Sequence, residues 1–215
     1  MILTGQRKSE VGEARWREFH PELVRMFRDR KPQDAPIKWA TLPKEWRVWT
    51  IGADRMKANA AHAVPLTDDA LDILASVPHF GKGDFLFTTT FGTKPVNGFS
   101  KAKSRLDREV LQTLKAMARK RGGNPKRLEL TPFVLHDLRR TMRTGLSALP
   151  IPDLVRELVI AHTKPGLHKV YDQFAYLDEK RQALELWAAH LRNVTSPTPA
   201  NVLNLDRAAE RSIRQ

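Results

Sequence analysis

The sequence contains no cysteine and only two tyrosines, and both scarcities limit its chemistry. Without cysteine, the 215-residue chain has no disulfide, no thiolate zinc site and no cysteine nucleophile. No apolar run approaches the length of a membrane span, and Met1-Ile2-Leu3 meets Lys and Arg too soon for a secretory signal. We therefore expect a cytoplasmic protein with no membrane partner.

Positive charge, by contrast, is abundant. Lys and Arg together number 37 against 24 acidic residues, which gives a net charge of +13. Residues 99–127 contain ten Lys or Arg side chains against only Asp107 and Glu109, so ten minus two gives +8 for this segment alone. A solvated helix face would account for such a run in isolation. With the excess over the whole chain, a surface that binds the phosphate backbone of a nucleic acid is the better interpretation.

The spacing of apolar residues predicts one mainly α-helical domain with a small antiparallel β-sheet, an α+β class. Aromatic and β-branched residues predict a strand at 46–51, with 63–66 returning beside it and 57–60 as the hairpin tip. Another short strand is predicted at 85–87. Capping residues and helical spacing predict helices from Ser9 or Thr4 to Phe19, over 21–30, from Thr67 to Val77, over 99–121, from Pro132 to Leu149, from Pro152 onward and over 178–191.

The segment Leu135–Thr141 concentrates cationic side chains along one helix. At 3.6 residues per turn, His136, Arg139 and Arg143 form a stripe beside an apolar one. A guanidinium matches two phosphate oxygens with parallel hydrogen bonds and keeps its charge at any working pH, so the stripe suits an oxyanion. Taken alone, the motif is more typical of an amphipathic helix with surface arginines.

Tyr171 is the candidate nucleophile of the chain. It follows His162 by nine residues, and the only other tyrosine is Tyr176. A phenol is a poor nucleophile at its ordinary pKa of about 10 and becomes useful where cationic groups stabilise the phenolate. The arginine stripe would supply those groups. Without that context, a tyrosine is more often a packing residue with a satisfied hydroxyl.

Separated motifs, in order along the chain, carry a family resemblance. They are LTGQRKSE at 3–10, the hairpin segment 49–67, HDLR at 136–139, His162 and Tyr171. Together they resemble the catalytic domain of the tyrosine recombinases, the phage and prophage integrases. The resemblance runs from Leu3 to about Leu191 and is strongest to the integrases of satellite phages and genomic islands. Where the family usually has Leu-Gly before the second histidine, this chain has Ile160-Ala161.

The resemblance implies a clamp for the scissile phosphate of DNA. Arg7 and Arg139 would be its two arginines, and His136 and His162 would complete it and assist proton movement. Glu10, one turn after Arg7, would orient a clamp side chain. Preorganised cations stabilise the negative charge that develops on the phosphate oxygens in the transition state, and this stabilisation is usually the largest single contribution to catalysis.

The resemblance also implies the groups that make and break bonds. Tyr171 would attack the phosphorus to form a 3′-phosphotyrosyl intermediate, and Lys57, in the hairpin, would protonate the departing 5′ oxygen. No cofactor is implied, and the sequence has no obvious carboxylate cluster to hold a metal. The residues expected to bind DNA outside the clamp are Lys101, Lys103, Arg105 and Arg140.

The function implied is site-specific recombination that integrates or excises a prophage or genomic island. The partner would be double-stranded DNA at attachment sites. The protein would act as a homotetramer on DNA, with a monomer as the alternative in the absence of DNA, and would be associated with the nucleoid. Residues 1–195 would form the catalytic domain and 196–215 a tail, without the amino-terminal DNA-clamping domain of the family. Relaxation of supercoils, as by type IB topoisomerases, and non-catalytic DNA binding stay open as alternatives.

Overall fold

The computed structural model describes residues 1–31, 34–162 and 176–196 of the chain. Within these ranges the protein is mainly helical with one two-stranded antiparallel sheet, which confirms the predicted class. The helices are α1 (Lys8–Gly12), α2 (Pro21–Asp29), α3 (Asp68–Ser76), α4 (Phe99–Lys120), α5 (Leu135–Ser147), α6 (Asp153–Val159) and α7 (Leu177–Thr195). The strands are β1 (Val48–Ile51) and β2 (His62–Pro65), and single 3₁₀ turns occupy Trp16–Glu18, Trp39–Thr41, Ala53–Arg55 and Pro125–Arg127.

The hairpin of β1 and β2 lies where the sequence predicts it. Val48 pairs with Pro65 and Ile51 with His62, so the connection spans the predicted tip. All four residues of β2 are buried, because α7 packs against this strand and the Lys180 Nζ donates to the Ala63 carbonyl at 2.7 Å. The sheet is therefore covered by a helix and fixed in place by it.

One hydrophobic core joins the sheet to the helices. Trp16, Phe19 and Trp49 belong to it on one side, and the Phe19 and Trp49 rings stack with centroids 6.0 Å apart. On the other side α5 meets α7 at Gly145, where an added Cβ would lie 2.2 Å from Cζ3 of Trp187. Only a residue without a side chain allows this approach of the two helices.

Two predicted boundaries and one predicted strand are wrong. The first helix ends at Gly12 instead of reaching Phe19, because the backbone at 14–16 pairs with 84–86 through Trp16 N to Asp84 O and Leu86 N to Ala14 O, both at 2.9 Å. The predicted strand at 85–87 makes only this bridge. The helix expected from Pro132 begins at Leu135, since the Asp137 carboxylate caps the Val134 amide at 2.8 Å.

Helix α4 differs from the other long helices in its packing. It ends one residue before the predicted end, at Lys120, yet none of its 22 residues is buried and the apolar Met117 is exposed. Most of its basic side chains are therefore exposed to solvent, while Lys103 and Lys115 are partly covered. Among the described residues no helix is long and apolar enough to cross a membrane.

Candidate functional site

The turn before α1 sets the position of the first candidate arginine. Gly5 adopts φ +68°, and a Cβ there would lie 2.9 Å from both Ile160 Cγ2 and Met142 Sδ, so the turn requires glycine. The buried Gln6 side chain donates to Val159 O at 2.9 Å. These contacts attach residues 4–6 to the end of α6 and to α5.

Arg7 is the N-cap residue of α1 and is held by Glu10. The Arg7 amide donates to Glu10 Oε2 at 2.6 Å, and Arg7 Nη1 donates to Glu10 Oε1 at 2.6 Å. The Glu10 side chain is 2% exposed, whereas that of Arg7 is 26% exposed. Glu10 thus orients the Arg7 guanidinium, as the sequence suggested, and leaves part of it open to solvent.

Arg139 is buried in α5, at 3% exposure. Its Nη1 donates to Gly5 O and its Nη2 to Ile160 O, each at 2.5 Å, so two backbone carbonyls hold the guanidinium. Burial, and then the charge of Arg7, lower the pKa of Arg139 to about 10. Arg139 still carries its charge at neutral pH, so two cations lie close together beside the Gly5 turn.

His162 lies at the end of α6 and is bound to Glu157. Its amide donates to Glu157 O at 2.9 Å, and its Nδ1 lies 2.9 Å from Glu157 Oε2. The preceding residue, Ala161, turns the chain with φ +53°. The other Glu157 oxygen accepts from Arg143 Nε at 2.8 Å.

The predicted stripe on α5 is therefore divided in the structure. Arg139 is buried, His136 is exposed and Arg143 forms an ion pair with Glu157. The physical reason is that α5 packs against α6 and α7, which buries part of the expected cationic edge with the apolar one. The sequence pattern placed these side chains on one helix but could not show how neighbouring helices would cover them.

The remaining catalytic candidates are not joined to the arginines by polar contacts. His136 and Lys57 are exposed, and within the described residues no hydrogen bond or ion pair links either of them to Arg7 or Arg139. Tyr171 lies outside the described residues. In residues 1–31, 34–162 and 176–196, no group of three or more His, Asp or Glu side chains could hold a metal ion.

His62, the first residue of β2, is a buried residue near the arginines to which the sequence assigned no role. Burial, with smaller contributions from the charges of Lys180, Arg139 and Arg7, lowers its pKa to about 3. A neutral imidazole therefore lies near the two guanidinium groups. The signal available was the unbroken apolar run that follows it in β2, which is typical of a strand buried on both faces.

The residues expected to bind DNA lie on the surface in local ion pairs. Arg105 pairs with Glu109 at 2.9 Å and Arg140 with Asp137 at 2.9 Å. Lys103 is more enclosed: its Nζ lies 2.5 Å from Asp107 and 3.7 Å from the centre of the Phe133 ring, and its side chain is 18% exposed. Lys101 is exposed.

Three integrases are among the curated proteins that are similar to this chain. The prophage integrase IntA of Escherichia coli (strain K12) is 32% identical over 162 residues, covering 74% of this chain and 35% of that protein. The prophage integrase IntZ of the same strain is 27% identical over 193 residues, covering 87% and 37%. The integrase of Shigella phage Sf6 is 25% identical over 159 residues, covering 71% and 36%.

The similarity concerns a part of each relative. The chain spans about a third of the length of the three integrases it matches. No protein-family model and no solved structure matches the chain.

Proposed function

This chain belongs to the phage and prophage integrase family, and we propose that it is the catalytic part of a tyrosine-type site-specific DNA recombinase. Residues 1–195 would form the catalytic domain and 196–215 a tail. The substrate is double-stranded DNA at attachment sites, and the working assembly is a homotetramer. The observation that carries the proposal is the pair of neighbouring cations, Arg139 buried and Arg7 partly open to solvent.

The proposed chemistry is a transesterification at phosphorus. The Tyr171 oxygen attacks the scissile phosphate, the bond from phosphorus to the 5′ oxygen breaks, and Lys57 donates a proton to that oxygen. His136 and His162 assist the removal of the phenol proton. In the reverse step the 5′ hydroxyl of a second strand displaces Tyr171, so the bond energy is conserved and no nucleotide is consumed.

The environment of the two arginines supports phosphate binding. Two carbonyls hold Arg139, no carboxylate among the described residues hydrogen-bonds its guanidinium, and the neighbouring Arg7 charge opposes its own. A phosphate between the two cations would relieve this repulsion and accept charge-assisted hydrogen bonds. Stabilisation of the extra negative charge in the transition state would follow from the same geometry.

The basic surface of α4 supports a DNA partner. Ion pairs between exposed side chains, such as Arg105 with Glu109, contribute about 0–1 kcal/mol and exchange easily for contacts with phosphate. Contacts of this kind release counterions and give salt-dependent affinity. We propose that Lys101, Lys103, Arg105 and Arg140 contact DNA in this way.

The test is covalent capture on a nicked suicide substrate. The chain should form a covalent protein–DNA complex, and Tyr171→Phe should abolish it. Tyr176→Phe is the matched control, because Tyr176 is the only other tyrosine and its side chain is exposed. A complex that survives Tyr171→Phe would show that the nucleophile is misassigned.

The same experiment separates the alternatives. Salt-sensitive DNA binding with no covalent complex at high protein concentration would indicate a non-catalytic DNA-binding module. Plasmid relaxation without recombinant products would indicate topoisomerase-like activity instead.

A further inference from the structure

We propose that Arg55 is a positioning residue that holds the turn carrying Lys57 against the segment carrying Arg7. This inference rests on the proposed function, which makes Lys57 the proton donor to the leaving oxygen. It concerns a buried arginine that has no part in the proposed phosphate clamp.

Arg55 joins the turn before Lys57 to two positions near the start of the sequence, 37 and 45 residues away. Its Nη1 donates to a carboxylate oxygen of Glu18, and its Nη2 donates to Glu10 O at 2.6 Å. The second Glu18 oxygen accepts from Trp49 Nε1 at 2.8 Å. The Arg55 and Glu18 side chains are each 8% exposed, so the ion pair is buried, and Arg55 Nε has no hydrogen-bond partner among the described residues.

The position of Lys57 depends on the backbone around Arg55. Arg55 ends a 3₁₀ turn only two residues before Lys57, and the intervening Met56 is buried in the core. Lys57 itself is exposed and makes no hydrogen bond or ion pair with the described residues. Its side chain is therefore aimed by the turn rather than by contacts of its own.

The Arg7 segment has anchors that do not involve Arg55. Glu10 binds Arg7, Gln6 binds the Val159 carbonyl, and Gly5 binds Arg139. Removal of the Arg55 hydrogen bonds should therefore leave the two arginines in place and release the Lys57 turn. The expected defect is in protonation of the leaving oxygen and not in phosphate binding.

A substrate with a different leaving atom distinguishes these two defects. In one suicide substrate the scissile phosphate keeps its 5′ oxygen, and in the other that bridging oxygen is replaced by sulfur. A thiol has a pKa of about 8.5 and leaves as the thiolate without a proton donor. A variant that misplaces only Lys57 should be slow on the oxygen substrate and normal on the sulfur substrate.

Arg55→Lys is the main variant, because it keeps a charge for Glu18 but cannot reach both Glu18 and Glu10. We expect cleavage of the oxygen substrate to fall by roughly 10- to 100-fold and cleavage of the sulfur substrate to stay within about threefold of wild type. DNA affinity should not change.

Glu18→Gln, which keeps an acceptor for Arg55, should show a smaller loss of cleavage on the oxygen substrate, with the same restoration on the sulfur substrate. It carries the test if Arg55→Lys fails to fold.

Arg181→Lys is the matched structural control. Arg181 is also a buried arginine that donates to backbone carbonyls, with Nη2 at 3.0 Å from Lys44 O, but it docks α7 and does not touch the Lys57 turn. This variant should lose thermal stability and keep the wild-type ratio of the two cleavage rates. Lys57→Ala removes the proposed proton donor altogether, so its cleavage rates on the two substrates show the largest restoration that the sulfur substrate can give.

Two results would overturn the inference. Arg55→Lys and Glu18→Gln could be slowed equally on both substrates, or both could cleave the oxygen substrate at the wild-type rate. If wild type forms no covalent complex with either substrate, the proposed function itself fails, and that outcome is distinct from the other two.

Discussion

Two regions of this protein are positively charged, but their cationic side chains differ in burial and in the contacts that hold them. Beside the Gly5 turn, Arg139 is buried and held by two carbonyls, and Arg7 is held by a buried carboxylate. On α4 no residue is buried, and cations such as Arg105 make only local pairs within the helix. The first region has a fixed geometry and the second an adjustable one.

This difference separates two tasks that net charge alone cannot distinguish. Fixed cations suit the stabilisation of charge in a transition state, because no reorganisation is needed at the moment of reaction. Adjustable surface cations suit attraction and loose binding of a polyanion, which salt weakens. Four variants or conditions would break or sharpen this contrast, beginning with the largest expected effect.

Arg139→Lys should break the fixed region. Lysine keeps the charge but has a single nitrogen that cannot reach both Gly5 O and Ile160 O, so we expect covalent cleavage to fall about 100- to 1000-fold. Single-turnover cleavage at saturating protein measures the loss. The neighbouring Arg140→Lys is the control, since Arg140 is exposed and should lose less than about threefold. Equal losses in both variants would contradict the comparison.

Gly5→Ala should destabilise the turn that supports both arginines. The positive φ and the two contacts at 2.9 Å predict a loss of about 2–4 kcal/mol in the free energy of unfolding, measured with urea. Gly98→Ala is the control, because Gly98 also has a positive φ but open space around its Cα. It should lose only about 1 kcal/mol through backbone strain. Similar losses at both positions would show that the contacts at Gly5 are unimportant.

His62 should make stability depend on pH. Its pKa in the folded state, about 3, lies below its ordinary value of 6.5, so between these values the unfolded chain binds a proton that the folded chain excludes. The protein is therefore fully stable above pH 6.5 and loses up to about 1.4 kcal/mol per pH unit as the pH falls toward 3.

Urea unfolding between pH 5 and about 7 measures this effect in wild type and in His62→Gln. Gln keeps a neutral polar side chain at this position but does not titrate, so the variant should have a flatter profile. Parallel profiles would mean that His62 is not the source of the dependence.

Charge removal on α4 should have the smallest effect on chemistry. Lys101→Gln with Arg105→Gln should lower the slope of log affinity against log salt by about 0.9 for each phosphate that the variant no longer neutralises. Cleavage at saturating protein should stay within about threefold, and the free energy of unfolding within about 0.5 kcal/mol. A cleavage defect that saturation does not restore would place α4 in the reaction itself.

Much of the fold followed from local patterns. Strands β1 and β2, α2, α3 and α4 lie close to their predicted positions, because β-branched runs, prolines at first turns and acidic caps act within a few residues. The integrase resemblance is confirmed by the relatives found. The first helix was predicted too long, since its end depends on pairing with residues 84–86, which local spacing does not encode.

The candidate site was predictable in its members but not in their environments. Apart from the family resemblance and their places on a helical wheel, nothing in the sequence distinguished the buried Arg139 from the exposed Arg140. Arg55 and His62 lie in the hairpin segment that contributes to the family resemblance, but nothing in that segment assigned them a role, because their importance comes from partners far away along the chain. The role of Tyr171 stays a prediction.

The sequence by itself determined the excess of positive charge, the absence of thiol chemistry, the helical class and the order of the motifs. Only the tertiary structure decided which cations are fixed and which are free to move. Arg139 meets Gly5 across 134 residues, and Arg55 meets Glu10 across 45. Burial and hydrogen bonding between such distant segments depend on how helices and strands pack, and a local pattern contains no record of that packing.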